Sequence, residues 1–306
     1  MSQSGPPTFA DPVPIGEVTA PPFARVPDLD TLFRNRAARL RQVAHGHALA
    51  PYLDFVAGLA EAQDGICRDL PAPMPPAADA LSRAREFGMP ALDRAALTQQ
   101  EACLVTLRRF LTAAATLPMP DPARAALATV TDAQDETLLA MAADALDSAI
   151  PFESVAEHGF IAAGMQVHAA RAAAMLDATK LVPVGDGVCP SCGGPPVASL
   201  VVGWEGAHGA RFCCCAICAT LWNYVRIRCT ACGSTKGITY RELDGSDGNV
   251  KAECCRECNT YLKIMYQVKG GALDPVADDL ATTALDILVT EEGFRRGGVN
   301  PFLIGY

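Results

Sequence analysis

Four C-x-x-C pairs constrain this chain more than any other feature: Cys189/Cys192, Cys215/Cys218, Cys229/Cys232 and Cys255/Cys258. Cys189 lies 40 positions before Cys229, and the same offset relates Cys192 to Cys232, Cys215 to Cys255 and Cys218 to Cys258. The segment is therefore a tandem duplication of one module, with 22 residues between the two pairs of each copy. Two residues between cysteines let the backbone close into a knuckle with both thiolates facing one metal. A loop of the intervening length can form a hairpin that brings the second knuckle opposite the first. Gly193 and Gly233 follow the first knuckle of each copy, where a left-handed turn is expected. Modules this small hold little hydrophobic core, so metal binding is expected to supply much of their folding free energy.

The eight cysteines are thus the expected ligands of two metal ions per chain, one for each module. Four tetrahedral thiolates suit zinc and also a single rubredoxin-type iron. Ferredoxin runs space their cysteines more tightly than this, which disfavours an iron–sulfur cluster. A closed four-cysteine site leaves no open position for catalysis, so a structural role for the metals is the simplest reading. The run Cys213-Cys214-Cys215 makes the register ambiguous, because the 40-residue offset pairs Cys214 with Cys254 as well as Cys215 with Cys255. Cys215 and Cys255 preserve the C-x-x-C spacing. Cys213, Cys214 and Cys254 are then accessory thiols, read either as small core residues or as a redox-sensitive set beside the metals. Cys67 and Cys103 fall on apolar helix faces and are expected in a core.

The expected fold class is α with a small β part: an N-terminal all-α helical domain, two tandem rubredoxin-like or zinc-ribbon metal modules, and a C-terminal helix. Residues 1–27 hold seven prolines and read as a disordered leader. Residues 28–182 carry successive apolar stripes at helical spacing, among them Leu53, Val56, Leu59 and Ala60, then Leu104, Leu107, Phe110 and Leu111. Composition changes at Pro183, where Gly, Cys and β-branched residues replace Ala and Leu. The modules are expected over 183–226 and 227–270, and a helix with an irregular tail over 271–306. Asp274-Pro275 is an N-cap followed by proline at the first helical position. The acidic pairs Asp278/Asp279 and Glu291/Glu292 are expected on the wet face of that last helix.

The net charge of −9 argues against a nucleic-acid partner, since neutralising phosphates supplies most of such affinity. Residues 1–184 hold 14 basic against 21 acidic side chains and residues 185–270 hold 9 against 7, so the cysteine-rich segment is nearly neutral. No stretch approaches the ~20 apolar residues of a membrane span, and no secretory signal is evident. A cytoplasmic location follows, where thiols stay reduced and clustered cysteines serve as metal ligands. No phosphate-binding glycine loop and no Ser-His-Asp arrangement can be drawn. His45, His47, His158, His168 and His208 lack metal-type spacing or face a site already filled by cysteine. Trp204, Trp222, Tyr224, Tyr240, Tyr261 and Tyr266 gather in the metal segment, as a small core with one or two exposed anchors for a partner.

At these residues the chain resembles the formate dehydrogenase accessory protein family, FdhE. The resemblance lies in the run GVCPSCG from Gly187, in CAICATLW from Cys215 to Trp222, and in CRECNTYLKI from Cys255 to Ile264. It continues in DPVADDL from Asp274 and in NPFL from Asn300. The triple cysteine at 213–215, Cys254 and the terminal Gly-Tyr depart from the family pattern. The resemblance implies a protein needed for active molybdenum- or tungsten-dependent formate dehydrogenase, which binds that enzyme's catalytic subunit in the cytoplasm without inserting into a membrane. It implies rubredoxin-like modules able to hold iron, the eight named cysteines as ligands, and no catalytic residue. The leading expectation is therefore a maturation chaperone and not an enzyme, of open oligomeric state. A rubredoxin-like electron carrier and a zinc-ribbon nucleic-acid or protein adaptor are the alternatives.

Overall fold

A computed structural model of the chain describes residues 20–303 apart from 72, 100 and 271. The expected leader lies largely outside the described residues. Its last part does not continue as a disordered leader, because Ala24–Arg25 forms strand β1 against Leu221 and Trp222.

Among the described residues eight α-helices follow: α1 (Leu32–Ala44), α2 (Ala50–Asp69), α3 (Ala78–Glu86), α4 (Arg94–Gln99), α5 (Glu101–Ala114), α6 (Asp121–Asp132), α7 (Asp135–Asp147) and α8 (Val155–Ala174). The apolar stripes read from the sequence point inward, with Leu53, Val56, Leu59, Leu107, Phe110 and Leu111 all buried. Helix α8 is different, being buried on every side from Phe160 to Ala173. Its small side chains permit this: a Cβ on Gly164 would stand only 2.8 Å from Leu107 Cδ2 on α5. A helix buried on every side belongs in the middle of a bundle, and α8 occupies that place.

The sheet is built from the duplication. β2 (Pro196–Val201), β3 (Arg211–Cys215) and β4 (Leu221–Tyr224) form an antiparallel meander, and β5 (Ile238–Arg241), β6 (Val250–Cys255) and β7 (Thr260–Tyr266) repeat it. The copies join edge to edge where β2 runs parallel to β7, with Ser199 opposite Ile264. The strand order is β1-β4-β3-β2-β7-β6-β5, and a short strand β8 (Arg295–Arg296) pairs with the start of β7.

The single C-terminal helix expected from Asp274 is two helices, α9 (Pro275–Ala281) and α10 (Thr283–Glu291). The start is as expected: the Asp274 carboxylate accepts from the Val276 and Ala277 amides at 2.9 Å each. The break is caused by a neighbouring strand. Lys263 Nζ of β7 donates to the carbonyls of Asp279 at 2.7 Å and Thr282 at 3.1 Å, and a side chain entering the carbonyl ladder ends a straight helix. The expected wet face is corrected for Asp278 and Asp279, which are buried, and holds for Glu291 and Glu292, which are exposed. Arg39 of α1 donates to the Asp278 carboxylate from Nε at 3.0 Å and from Nη2 at 2.6 Å. Asp279 meets Lys263, Arg296 and Asn300. Burial opposes the Asp279 charge, but Lys263 and Arg296 outweigh it and hold the carboxyl below its ordinary value.

One hydrophobic core runs from the helices into the first module, taking in Val197, Leu200, Phe212 and Trp222. The second module packs Ala252, Cys254 and Tyr261 against Leu285, Val289 and Phe294 in a separate cluster. Between the modules, Arg211 and Glu253 form a buried ion pair at 2.8 Å. Arg211 also donates to the carbonyls of Val225, Arg226 and Arg228, so it grips the connecting segment itself. Among the described residues no helix is long and apolar enough to cross a membrane.

Candidate metal centres

The turn after each cysteine pair aims the thiols. The Gly193 amide donates to the Cys189 carbonyl at 2.8 Å, and the Gly233 amide donates to that of Cys229 at 3.0 Å. Both glycines are left-handed, with φ of 73° and 71°, as their sequence positions require. The second knuckles use the same geometry with different residues, since Ala219 has φ 58° and Asn259 has φ 53°. The 40-residue offset links these two positions as well, so the repeat held a signal that residue type concealed.

These turns gather the eight expected ligands into two groups, Cys189/Cys192/Cys215/Cys218 and Cys229/Cys232/Cys255/Cys258, and within each group the sulfurs lie within 4.8 Å of one another. In the first site Cys189 Sγ is 3.6 Å from Cys218 Sγ and Cys192 Sγ is 3.4 Å from Cys215 Sγ. In the second the matching distances are 3.6 Å for Cys229 to Cys258 and 3.7 Å for Cys232 to Cys255. A tetrahedron with metal–sulfur bonds of about 2.3 Å has edges of roughly 3.8 Å, so both clusters have the size of a four-thiolate metal site. The donor set suits zinc and a single iron alike.

Electrostatics within the first cluster favour a cation. Burial pushes the Cys189 and Cys218 thiols well above their ordinary value, while hydrogen bonds from Cys189, Cys215 and Cys218 hold Cys192 well below it. Cys192 ionises easily while Cys189 and Cys218 resist, and a metal ion held here would supply the positive charge that offsets their burial. In the second cluster burial raises the Cys258 thiol. The Thr260 hydroxyl, 2.9 Å away, and the neighbouring cysteines more than reverse this and bring it to about 7. Thr220 lies one repeat earlier, with its hydroxyl 3.2 Å from Cys218 Sγ. This duplicated threonine is a site residue that the repeat could have revealed.

The clusters differ in their surroundings. The four cysteines of the first are buried, with exposures of 0 to 2%. Its knuckles are held by the helical domain: Ala91 and Leu92 donate their amides to the carbonyls of Pro190 and Ser191, and Gln166 of α8 donates to the Ala216 carbonyl at 2.8 Å. In the second, Cys232 is exposed and Cys258 partly so. The accessory thiols join neither cluster. Cys213, Cys214 and Cys254 are buried in the strands, and burial raises Cys213 to about 12 and Cys254 to about 11. Cys214 lines a cleft of about 800 Å³ between α1, β1 and the first module. Cys67 and Cys103 are core residues. Of the aromatic residues in the segment, Trp222 and Tyr261 are buried and Tyr240 is exposed.

Comparison with known proteins agrees with this architecture along the chain. Family models described as FdhE, N-terminal, FdhE, central domain, and FdhE, C-terminal domain match residues 21–186, 188–226 and 227–303. The chain is 47% identical to the protein FdhE homolog of Rhizobium meliloti (strain 1021), over 98% of this chain and 99% of that one. It is 35% identical to protein FdhE of Salmonella arizonae, over 90% of this chain and 89% of the relative. The crystal structure of the FdhE protein from Pseudomonas aeruginosa superposes with a TM-score of 0.83 at 32% identity, covering 93% of this chain and 99% of that one. Three consecutive family models, near-full-length relatives and a shared fold place this chain in the FdhE family.

Proposed function

We propose that this protein is a maturation factor for formate dehydrogenase, which binds the enzyme's catalytic subunit in the cytoplasm and catalyses no reaction itself. Family membership carries the reading, through the resemblance of its cysteine motifs to the formate dehydrogenase accessory proteins. The site geometry supports it. Four sulfurs complete a tetrahedral coordination sphere, so neither cluster offers a metal position to a substrate. All thirteen cysteines are unpaired, which suits a reducing compartment. A chaperone also needs a broad recognition surface, and the helical domain provides more area than a simple electron carrier requires.

The test is genetic and biochemical. Deleting the gene should abolish formate dehydrogenase activity in the host, and the purified metal-loaded protein should co-purify with the catalytic subunit. Full enzyme activity in the deletion strain, together with no complex, would contradict the proposal.

A further inference from the structure

The duplication gives both clusters the same ligands and spacing, yet the fold treats them differently. The first cluster is buried within a core shared with the helices. Its two knuckles are tied from outside, by the Ala91 and Leu92 amides and by Gln166. Pro90 also closes over it, lying where a Cβ on Gly193 would stand 3.0 Å from Pro90 Cγ. No incoming ligand can touch a metal held there until this packing opens.

The second cluster lies in the outer half of the sheet. Strand β5 ends the strand order, whereas β4 at the opposite end is covered by β1. Its first knuckle is held by residues of the two modules and not by the helices: Arg228 Nε donates to the Gly233 carbonyl at 3.1 Å, Tyr224 donates to the Cys229 carbonyl at 2.9 Å, and Asp186 pairs with Arg228 at 3.0 Å. Cys232 is exposed and Cys258 is partly so.

We propose that the two sites divide the work: the first is a permanent staple, and the second is a port through which a divalent cation, zinc or ferrous iron, enters and leaves the folded protein. Thiolate-bound metals exchange by ligand substitution. An incoming donor bonds to the metal, the bond from the metal to Cys232 Sγ breaks, and the freed thiolate takes a proton from water. The metal keeps its charge, and no electron is transferred. At the second site this needs only solvent contact that already exists. At the first it needs local unfolding, whose free energy slows exchange. The inference rests on both clusters holding metal and not on the formate dehydrogenase reading. The following test reads only metal and thiols, so its failure would leave that reading intact.

The full-length wild-type protein, loaded with two zinc ions, is mixed with excess 4-(2-pyridylazo)resorcinol and isotopically labelled N-ethylmaleimide. Zinc transfer is followed by absorbance, and alkylated cysteines are located by peptide mass. Release in two steps of one zinc each is expected, the first at least ~10-fold faster than the second, a ratio in keeping with the effect of outer-shell contacts on metal sites. When the first zinc has left, Cys229, Cys232, Cys255 and Cys258 should carry label and Cys189, Cys192, Cys215 and Cys218 should not. Gln166→Leu should speed the second step and leave the first unchanged. Equal rates for both metals, or label appearing first or equally on the Cys189 group, would overturn the proposal.

Discussion

Each of the four knuckles turns through a left-handed residue, and only two of these are glycine. Ala219 at φ 58° bears the steric cost of a Cβ in that region. Ala219→Gly should therefore raise the stability of the metal-loaded protein, by about 1 kcal/mol in chemical denaturation. Gly193→Ala should lower it by about 1–2 kcal/mol, because the new methyl is strained at φ 73° and meets Pro90. A second residue-scale prediction concerns His168, buried on α8 with Nε2 3.1 Å from the Leu97 carbonyl. Burial lowers its pKa from 6.5 to about 4, against the Leu97 hydrogen bond and with help from Arg171. The unfolded chain then takes up this proton first as pH falls, so stability is lost between pH 6.5 and about 4. The loss should be on the order of 3 kcal/mol at most. His168→Gln should flatten that part of the denaturation-midpoint profile, and an unchanged profile would contradict the assignment.

At the scale of elements, Arg211 and Glu253 tie the modules to each other and to the segment between them. Arg211→Met should destabilise by about 3–5 kcal/mol, since it strands a buried carboxylate. Adding Glu253→Leu should recover only part of this, because the linker carbonyls still lack their donor; denaturation of the single and double variants measures both effects. The sequence made the duplication legible because thiolate chemistry dictates its spacing, and it made the α9 start legible because Asp274-Pro275 is a local signal. The inward turn of Asp278 and Asp279 was not legible. Their partners Arg39, Lys263 and Arg296 come from other elements, Arg39 from 239 positions away, and periodicity alone assigns a charged residue to water. The break between α9 and α10 was hidden for the same reason, since Lys263 arrives from β7. The unequal burial of the two clusters has no counterpart in their identical spacing, because the helices that cover the first are remote in sequence.

For the whole molecule, the first module shares its core with the helical domain, whereas the second packs on α10. The protein has two tryptophans, Trp204 and Trp222, and both belong to the first module. Emptying the second site should therefore leave tryptophan fluorescence close to that of the loaded protein, and emptying both should change it. The helical far-ultraviolet signal should largely persist in either case. Metal content with X-ray absorption at the metal edge, on protein purified without oxygen or chelators, tests the central claim most directly. Two metal ions per chain, each bonded to four sulfurs at about 2.3 Å, are expected. Fewer than two ions, or nitrogen or oxygen in the coordination sphere of either, would contradict a pair of four-cysteine sites.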